Sequence, residues 1–265
     1  MTRRRRVGLI GFGFIGRQVY DRITSQPELG LDVAFVHNRN ESRIAQVPDP
    51  LRLREVAEID RFSPDVVVEM AHPDYSHRWG ERVLQCCDYL PLSVTALADD
   101  ALRERLCAQA QRHGHTLAIP HGALMGLDTQ REWRHAWEEV TITFIKHRDN
   151  IDFTASGIDP AKVQPGEVVY DGPVRGIATR FPRNVNTMVT CALATVGLDR
   201  CRARLLTSES PNIAIADVLA RGRDGSHLHM RKEQPAIGVS GTEMFESQFA
   251  SILRVARVQE PMEFV

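Results

Sequence analysis

The stretch Val7–Gly16, VGLIGFGFIG, decides the fold of this chain. Its apolar start predicts a strand, a helix-like segment follows over Arg17–Ser25, and three glycines with the spacing G-x-G-x-x-G lie between them. In such a turn the glycines permit a tight bend, a close approach of pyrophosphate to the backbone, and close packing of helix on strand. The alternative is an ordinary glycine-rich turn. The residues expected to contact a dinucleotide are Gly11, Gly13, Phe14, Ile15 and Gly16.

Length, charge and cysteine content set limits on the class of protein. The chain has 265 residues, a formal net charge of −1 and five cysteines at unrelated spacings. The length suffices for one large domain or two modest ones, and the near-neutral charge favours neither nucleic acid nor a membrane surface as a partner. Because no Cys/His set has zinc-site spacing, we expect no metal, and we expect reduced thiols in the cytoplasm.

Residues 1–122 show the alternation of a doubly wound α/β domain. After the first strand, further strands are predicted at Asp32–His37, Asp65–Met70, Tyr89–Ser93 and Thr116–Ile119, with helices between them. Apolar strands that alternate with amphipathic helices predict a parallel sheet covered on both faces. We therefore expect a dinucleotide-binding (Rossmann) domain in this part of the chain.

Residues 123–242 follow a different pattern, which predicts a second, α+β domain for substrate binding and dimerisation. A helix is predicted over Leu127–Glu139, and Val140–His147 alternates with the period of two that is typical of a strand. A strand is also predicted at Arg175–Phe181, and we expect the sheet to be antiparallel. A last helix, at about 243–256, is expected to pack on either domain.

The end of the second predicted strand bears on which nicotinamide cofactor is used. Asn38 lies 22 residues after Gly16, where an acidic residue would hold the adenosine ribose of NAD, and Arg39 follows it. A neutral Asn removes the repulsion of a 2′-phosphate, and an Arg supplies a planar cation for that phosphate. The pair predicts a preference for NADP with NAD also accepted; the alternative is an Arg39 that simply faces water.

Four ordered segments carry a resemblance to the L-aspartate dehydrogenase family over most of the chain. Besides the glycine turn, they are Val67–Ala71 (VVEMA), Leu92–Asp99 (LSVTALAD), Ile119–Asp128 (IPHGALMGLD) and Phe181–Asn186 (FPRNVN). The resemblance implies a homodimer that oxidises L-aspartate with NAD(P) to iminosuccinate, which gives oxaloacetate and ammonia, or runs the reverse reaction. It also implies that Ala71, Ala123 and Asn186 are cofactor-binding residues, the last two near the nicotinamide.

The chain departs from the family at the catalytic histidine. Without a gap, the family's His position falls on Ala216; with one gap, it falls on Ala214. The family's N-P-K-T-S motif is also degraded here, around Val239–Glu243. Conversely, His121 stands where the family usually has Ser, and imidazole can exchange protons near neutral pH. We expect His121 to be the catalytic substitute, with Lys146 as a residue that binds a substrate carboxylate or acts as an acid.

Three functions are compatible with this pattern. The first is an NAD(P)-dependent oxidoreductase of the aspartate dehydrogenase type, with an altered substrate as one possibility. The second is a dinucleotide-binding sensor or assembly protein with little turnover, since the glycines are intact and the acid/base histidine is missing. The third is a reductase of another small imine or carbonyl that needs no such histidine. The expected partners are a nicotinamide cofactor and a small-molecule substrate, an amino acid or a 2-oxo or imino acid, with neither nucleic acid nor a membrane.

Overall fold

A computed structural model describes residues 3–237, 240–241 and 244–258. Contacts divide the chain into two compact units. Unit 1 comprises Met1–Pro120 and Gln248–Val265, and unit 2 comprises His121–Ser247. Within the described residues, no helix combines the length and the apolar character that crossing a bilayer requires.

Unit 1 contains a four-stranded parallel sheet with helices. In chain order its elements are β1 (Arg5–Ile10), α1 (Phe14–Ser25), β2 (Leu31–His37), β3 (Val66–Glu69), α2 (Asp74–Leu84), β4 (Asp88–Pro91) and α3 (Asp100–His113). The strand order is β2-β1-β3-β4, and every pairing is parallel. The expected Rossmann-type fold is confirmed, and all four strands end at the same edge of the sheet.

Burial explains why these segments form this layer. The central strand β3 is buried along its whole length, as a parallel strand covered on both faces should be. Helix α1 buries Gly16, Val19 and Ile23, which recur at helical spacing on one face. Phe249, which belongs to unit 1, is buried with the guanidinium of Arg22 4.6 Å from its ring centroid. The predicted strand at Thr116–Ile119 is reduced to a single bridge between Leu117 and Tyr89.

Unit 2 contains a mixed sheet and short helices. Its elements are α4 (Leu127–Glu132), β5 (Trp137–Lys146), β6 (Val168–Pro173), α5 (Val174–Arg180), α6 (Asn186–Ala194), β7 (Arg202–Thr207), β8 (Ile213–Gly222), β9 (His227–Ile237) and β10 (Ser240–Gly241); α7 (Met244–Val255) follows. The strand order is β10-β9-β8-β5-β7-β6. The pair β5–β7 is parallel and the other pairs are antiparallel, so the expected antiparallel sheet contains one parallel pair.

Two other predictions in unit 2 need correction. The segment predicted as a strand at Arg175–Phe181 is helix α5, because Val174, Ile177 and Ala178 recur at helical spacing and are buried together. The helix predicted over Leu127–Glu139 ends at Glu132, and the following strand begins at Trp137. There the Trp137 indole is buried and donates to Gln130 O at 2.9 Å, which turns the chain from α4 into β5.

One face of the unit 2 sheet is buried, and its residues can be read from the strand register. On β8, Ala214, Ala216, Val218 and Ala220 are buried while their neighbours are more exposed. On β5 the same alternation buries Phe144 and Lys146. Because paired residues of neighbouring strands share a face, these side chains form one surface, called here the inner face.

Candidate functional site

The glycine turn of unit 1 has a geometry that requires glycine at two of its three positions. Gly11 has a φ of +97°, and a Cβ there would lie 2.7 Å from the carbonyl of Met70. A Cβ on Gly16 would lie 2.2 Å from Gly11 O, so α1 and β1 pack at a distance that no side chain permits. Gly13 differs, because a Cβ there would meet no protein atom within 4 Å. The turn therefore leaves open space beside Gly13.

Helix α1 begins directly after Gly13, so its first N–H groups lie next to that open space. The first N–H groups of a helix have no acceptor inside it, and no side chain caps those of α1. Its first turn carries no acidic residue, and Phe14 is 68% exposed. Exposed amides and a positive helix end attract an anion, and the space at Gly13 lets one approach. The residues present therefore fit the diphosphate of a dinucleotide.

The end of β2 joins the glycine turn through a side chain. Asn38 Oδ1 accepts from Phe12 N at 3.2 Å, and Asn38 Nδ2 donates to Asn40 O at 2.8 Å. Asn38 thus ties the β2 loop to the turn. Arg39 is exposed, and its guanidinium lies near Tyr75 of α2; burial raises the pKa of the Tyr75 phenol, and Arg39 opposes part of that rise. A cation therefore stands at the β2 carboxyl end.

Glu69 is a buried carboxylate at the end of β3. Its Oε1 accepts from Ala71 N at 2.6 Å, His72 N at 2.8 Å and Ser93 Oγ at 3.0 Å, and its Oε2 accepts from Ser93 N at 3.2 Å. Burial raises its pKa to about 7, and these hydrogen bonds oppose the rise. Glu69 therefore fixes the turn that carries Ala71. The signal for it was a lone acid in an apolar strand, which the sequence reasoning did not use.

In unit 2 the structure brings together the segments of Ala123 and Asn186. Ala123 N donates to Thr187 Oγ1 at 3.2 Å, and Thr187 directly follows Asn186 at the start of α6. Gly122, with a φ of +59°, lies so close that a Cβ would be 2.8 Å from the same hydroxyl oxygen. The turn at residues 121–126 is therefore packed on the amino end of α6.

His121 and Asn184 make local contacts inside unit 2. His121 is half-buried; its Nδ1 lies 3.4 Å from Leu124 O, and its Nε2 lies 3.8 Å from an oxygen of Asp128. Asn184 Oδ1 accepts from Asp152 N at 3.0 Å, and Asn184 Nδ2 donates to Asn150 O at 3.4 Å. Asn184 thus holds the loop after β5, whereas His121 stays on the turn that carries Ala123.

Two lysines flank Ala214 and Ala216, the two positions on which the sequence comparison was expected to place the family's histidine. Lys146 of β5 pairs with Ala214, and Lys232 of β9 pairs with Ala216. Lys146 is buried, and desolvation lowers its pKa to about 8. Lys232 is half-buried, and its Nζ donates to Ala123 O at 3.0 Å. Sequence reasoning missed Lys232 because β9 carries too many polar residues to be recognised as a strand.

Some sequence observations fall outside this face or outside the described residues. Val239, Thr242 and Glu243, in the degraded motif, lie outside the described residues. His229 Nε2 lies 3.0 Å from Asp217 Oδ2, on the more exposed side of β8. Within the described part of the chain, no group of three or more His, Cys, Asp or Glu side chains could hold a metal ion.

The folds and residues described above define a dinucleotide-binding unit followed by an α+β unit. Residues 11–120 match the family model described as homoserine dehydrogenase, NAD binding domain, and residues 128–238 match aspartate dehydrogenase, C-terminal. The fold resembles that of aspartate dehydrogenase from Thermotoga maritima, with a TM-score of 0.73 and 23% identity over 98% of this chain and 99% of that one.

Curated relatives extend the match to the level of sequence. An aspartate dehydrogenase domain-containing protein from Xenopus tropicalis is 30% identical over 95% of this chain and 94% of its own length. L-aspartate dehydrogenase 1 from Bordetella pertussis is 31% identical over 93% of this chain and 90% of its own length. The class is that of the NAD(P)-dependent dehydrogenases. The chain belongs to the aspartate dehydrogenase family.

A matched pair of glycine variants tests the geometry of the turn. Gly16→Ala should lower stability by about 1–3 kcal/mol, because its methyl group clashes with Gly11 O. Gly13→Ala should melt like the parent, since Gly13 has a φ of −81° and open space beside it. Its methyl should nevertheless weaken NADPH binding about tenfold or more (~1.4 kcal/mol), measured by calorimetry. If Gly13→Ala bound NADPH as tightly as the parent, the space beside Gly13 would not be the site of the diphosphate.

Proposed function

We propose that the protein interconverts L-aspartate with iminosuccinate, and hence with oxaloacetate and ammonia, using NAD(P). The single observation that carries the proposal is the open space at Gly13 beside the first N–H groups of α1, called here the nucleotide cradle. It occurs in a chain whose curated relatives bear the name L-aspartate dehydrogenase. The nicotinamide, when bound, accepts or donates the hydride. The protein's residues bind and orient the ligands and move the proton at the substrate nitrogen.

NADP is the proposed preferred cofactor, with NAD as a second one. Arg39 supports this preference because it is an exposed cation at the end of β2, next to a neutral Asn38 that is occupied in binding the glycine turn. No carboxylate stands at these two positions to repel a 2′-phosphate. The other proposed cofactor-binding residues are Gly11, Gly13, Phe14, Ile15, Gly16, Asn38, Ala71, Ala123 and Asn186.

Two groups of unit 2 are proposed to carry the proton in place of the missing histidine. This role of His121 is supported by its place on the turn that carries Ala123, where its Nε2 lies 3.8 Å from Asp128 Oδ1. Lys146 is supported by its position opposite Ala214 and by a pKa near 8, which lets its neutral amine accept a proton close to neutral pH. In the second role considered for Lys146, its ammonium binds a substrate carboxylate.

The alanines at positions 214 and 216 also favour a second candidate function. A chain that keeps the nucleotide cradle and lacks the family histidine could bind NAD(P) with little turnover, as a sensor or assembly protein. A reductase of another small imine or carbonyl is the remaining candidate. A homodimer and a cytoplasmic location stay predictions from the sequence.

A turnover assay tests the proposed function. Purified protein with NADPH, ammonia and oxaloacetate should consume NADPH, because both nucleotide cradle and inner-face lysines are present. A panel of other 2-oxo acids, imines and carbonyls serves as the control. Tight NADPH binding without turnover of any substrate would contradict the proposal and favour the sensor. Turnover confined to another carbonyl would favour the alternative reductase.

Arg39→Ala tests the cofactor preference. Loss of a charge-assisted hydrogen bond to a phosphate should cost ~1.5–3 kcal/mol of binding free energy and so weaken NADPH binding about tenfold or more. NADH binding should be nearly unchanged, because NADH has no 2′-phosphate. The matched control is Arg61→Ala, which removes an exposed arginine paired with Glu58 elsewhere in unit 1. The measurement is calorimetric titration with each cofactor. An unchanged ratio of the two affinities would refute the role of Arg39.

The pH dependence of kcat shows whether Lys146 or His121 accepts the proton. Aspartate oxidation requires a deprotonated acceptor, so if Lys146 is that acceptor, kcat should rise with pH through about 8 and then level off. In the reductive direction the protonated form is needed, and kcat should fall through the same range. Lys146→Met should remove this limb and His121→Asn should keep it. The opposite pattern would assign the proton to His121.

A further inference from the structure

Glu69 ends the buried strand β3 and connects the two loops that follow β3 and β4. The strand otherwise consists of Val66, Val67 and Val68, and the side chain of Glu69 is fully buried. Burying a carboxylate costs free energy unless hydrogen bonds compensate for the lost water. Because β3 and β4 are parallel neighbours, the loops after them lie at the carboxyl edge of the sheet, where open α/β sheets bind their ligands.

The two oxygens of the Glu69 carboxylate hold different parts of these loops. Oε1 accepts from Ala71 N at 2.6 Å, from His72 N at 2.8 Å and from Ser93 Oγ at 3.0 Å, and Oε2 accepts from Ser93 N at 3.2 Å. Three of these four donors are backbone N–H groups, which cannot accept, so the group between them must present an acceptor on each side. A carboxylate does this, whereas a carboxamide presents a donor on one side.

The loop after β3, residues 70–72 and called here the β3 loop, packs on the glycine turn. Met70 N donates to Ile10 O at 2.7 Å. A Cβ on Gly11 would lie 2.7 Å from Met70 O and 3.0 Å from the Cβ of Ala71. The β3 loop therefore lies against the turn that contains the nucleotide cradle, and a shift of this loop would move the backbone on which that turn is packed.

The β3 loop is exposed on its outer side and anchored from beneath. Ala71 and His72 are exposed, while the carboxylate that accepts from both of their amides is buried. A binding surface that is held in its bound shape before the ligand arrives loses less conformational entropy on binding. Because Glu69 is fully buried, it can act on a ligand only through the loops that it holds.

We propose that Glu69 is a positioning residue for the dinucleotide, whose carboxylate holds the β3 loop and Ser93 in the arrangement that NAD(P) binds. This role rests on the proposed function for the identity of the ligand and is independent of the substrate that is turned over. Glu69 itself does not touch the nucleotide. Its removal lowers nucleotide affinity, because the ligand must then order the loops as it binds.

Glu69→Gln tests this role, with Asp88→Asn as the matched control. With its oxygen in the place of Oε1, the new carboxamide would set an N–H group against Ser93 N and lose that hydrogen bond. Asp88 is a buried carboxylate at the start of β4, at the opposite edge of the same sheet, and it accepts from Thr116 N at 2.8 Å. Both variants exchange a buried carboxylate for a carboxamide, so they differ in their place in the sheet.

Calorimetric titration with NADPH and with NADH, together with thermal melting, measures the effect. Glu69→Gln should weaken binding of both cofactors about tenfold, because a hydrogen bond to a charged acceptor is lost. The ratio of the two affinities should not change, in contrast to Arg39→Ala. Asp88→Asn should bind both cofactors like the parent, at a comparable shift of the melting temperature. Glu69→Ala, which loses all four hydrogen bonds, should bind more weakly than Glu69→Gln, so that the carboxamide restores part of the affinity.

Two results would overturn the inference. One is parent-like affinity for NADPH in a folded Glu69→Gln. The other is a loss of affinity in Asp88→Asn as large as in Glu69→Gln, which would mean that binding follows stability alone. If Glu69→Gln does not fold, Ser93→Ala decides, because it removes only the hydroxyl donor to Oε1. Weaker binding of both cofactors by Ser93→Ala supports the inference, and unchanged binding contradicts it.

The same variants distinguish this role from the proposed function. NADPH binding that depends on Glu69, in a protein that does not turn over oxaloacetate, would support the role of Glu69 and refute the proposed function. Oxaloacetate turnover together with parent-like NADPH binding in Glu69→Gln would support the proposed function and refute the role of Glu69.

Discussion

The close contact between α1 and β1 is the constraint on which the nucleotide-binding unit depends. A Cβ on Gly16 would lie 2.2 Å from Gly11 O, so the helix reaches its position only because that residue has no side chain. The first N–H groups of the helix lie next to the open space beside Gly13, because Gly13 immediately precedes the helix. Asn38 and Glu69 then hold the two neighbouring turns through hydrogen bonds to backbone amides. The backbone around Gly13, which we propose holds a diphosphate, is thus supported by several side chains.

Unit 2 depends on a different balance, in which burial and charge oppose each other. Lys146 is buried at the end of β5, which costs free energy for its charged form and lowers its pKa to about 8. Lys232 keeps a hydrogen bond to a carbonyl oxygen. A protein that needed only stability would place apolar residues at both positions.

The sequence predicted the fold of unit 1 more completely than the fold of unit 2. The parallel sheet and the glycine turn followed from apolar strands and from glycines whose spacing has a steric reason. The helix at Val174–Arg180 was mistaken for a strand, because its apolar residues suit either period over so short a segment. The parallel pairing of β5 with β7 depends on contacts distant in sequence, which no local pattern reports. Lys232 was missed because β9 is too polar to be recognised as a strand, and the register of β8 with β9 that places it beside Ala216 follows only once that strand is known.

The central claim is that the amide groups at the start of α1 hold the diphosphate of a pyridine nucleotide. A crystal structure of the protein grown with NADP+ tests this claim most directly. The account predicts diphosphate oxygens within hydrogen-bonding distance, ~3 Å, of the first N–H groups of α1, over the open space beside Gly13. A nucleotide bound elsewhere on the chain, or a turn closed by side chains in a crystal saturated with NADP+, would contradict it.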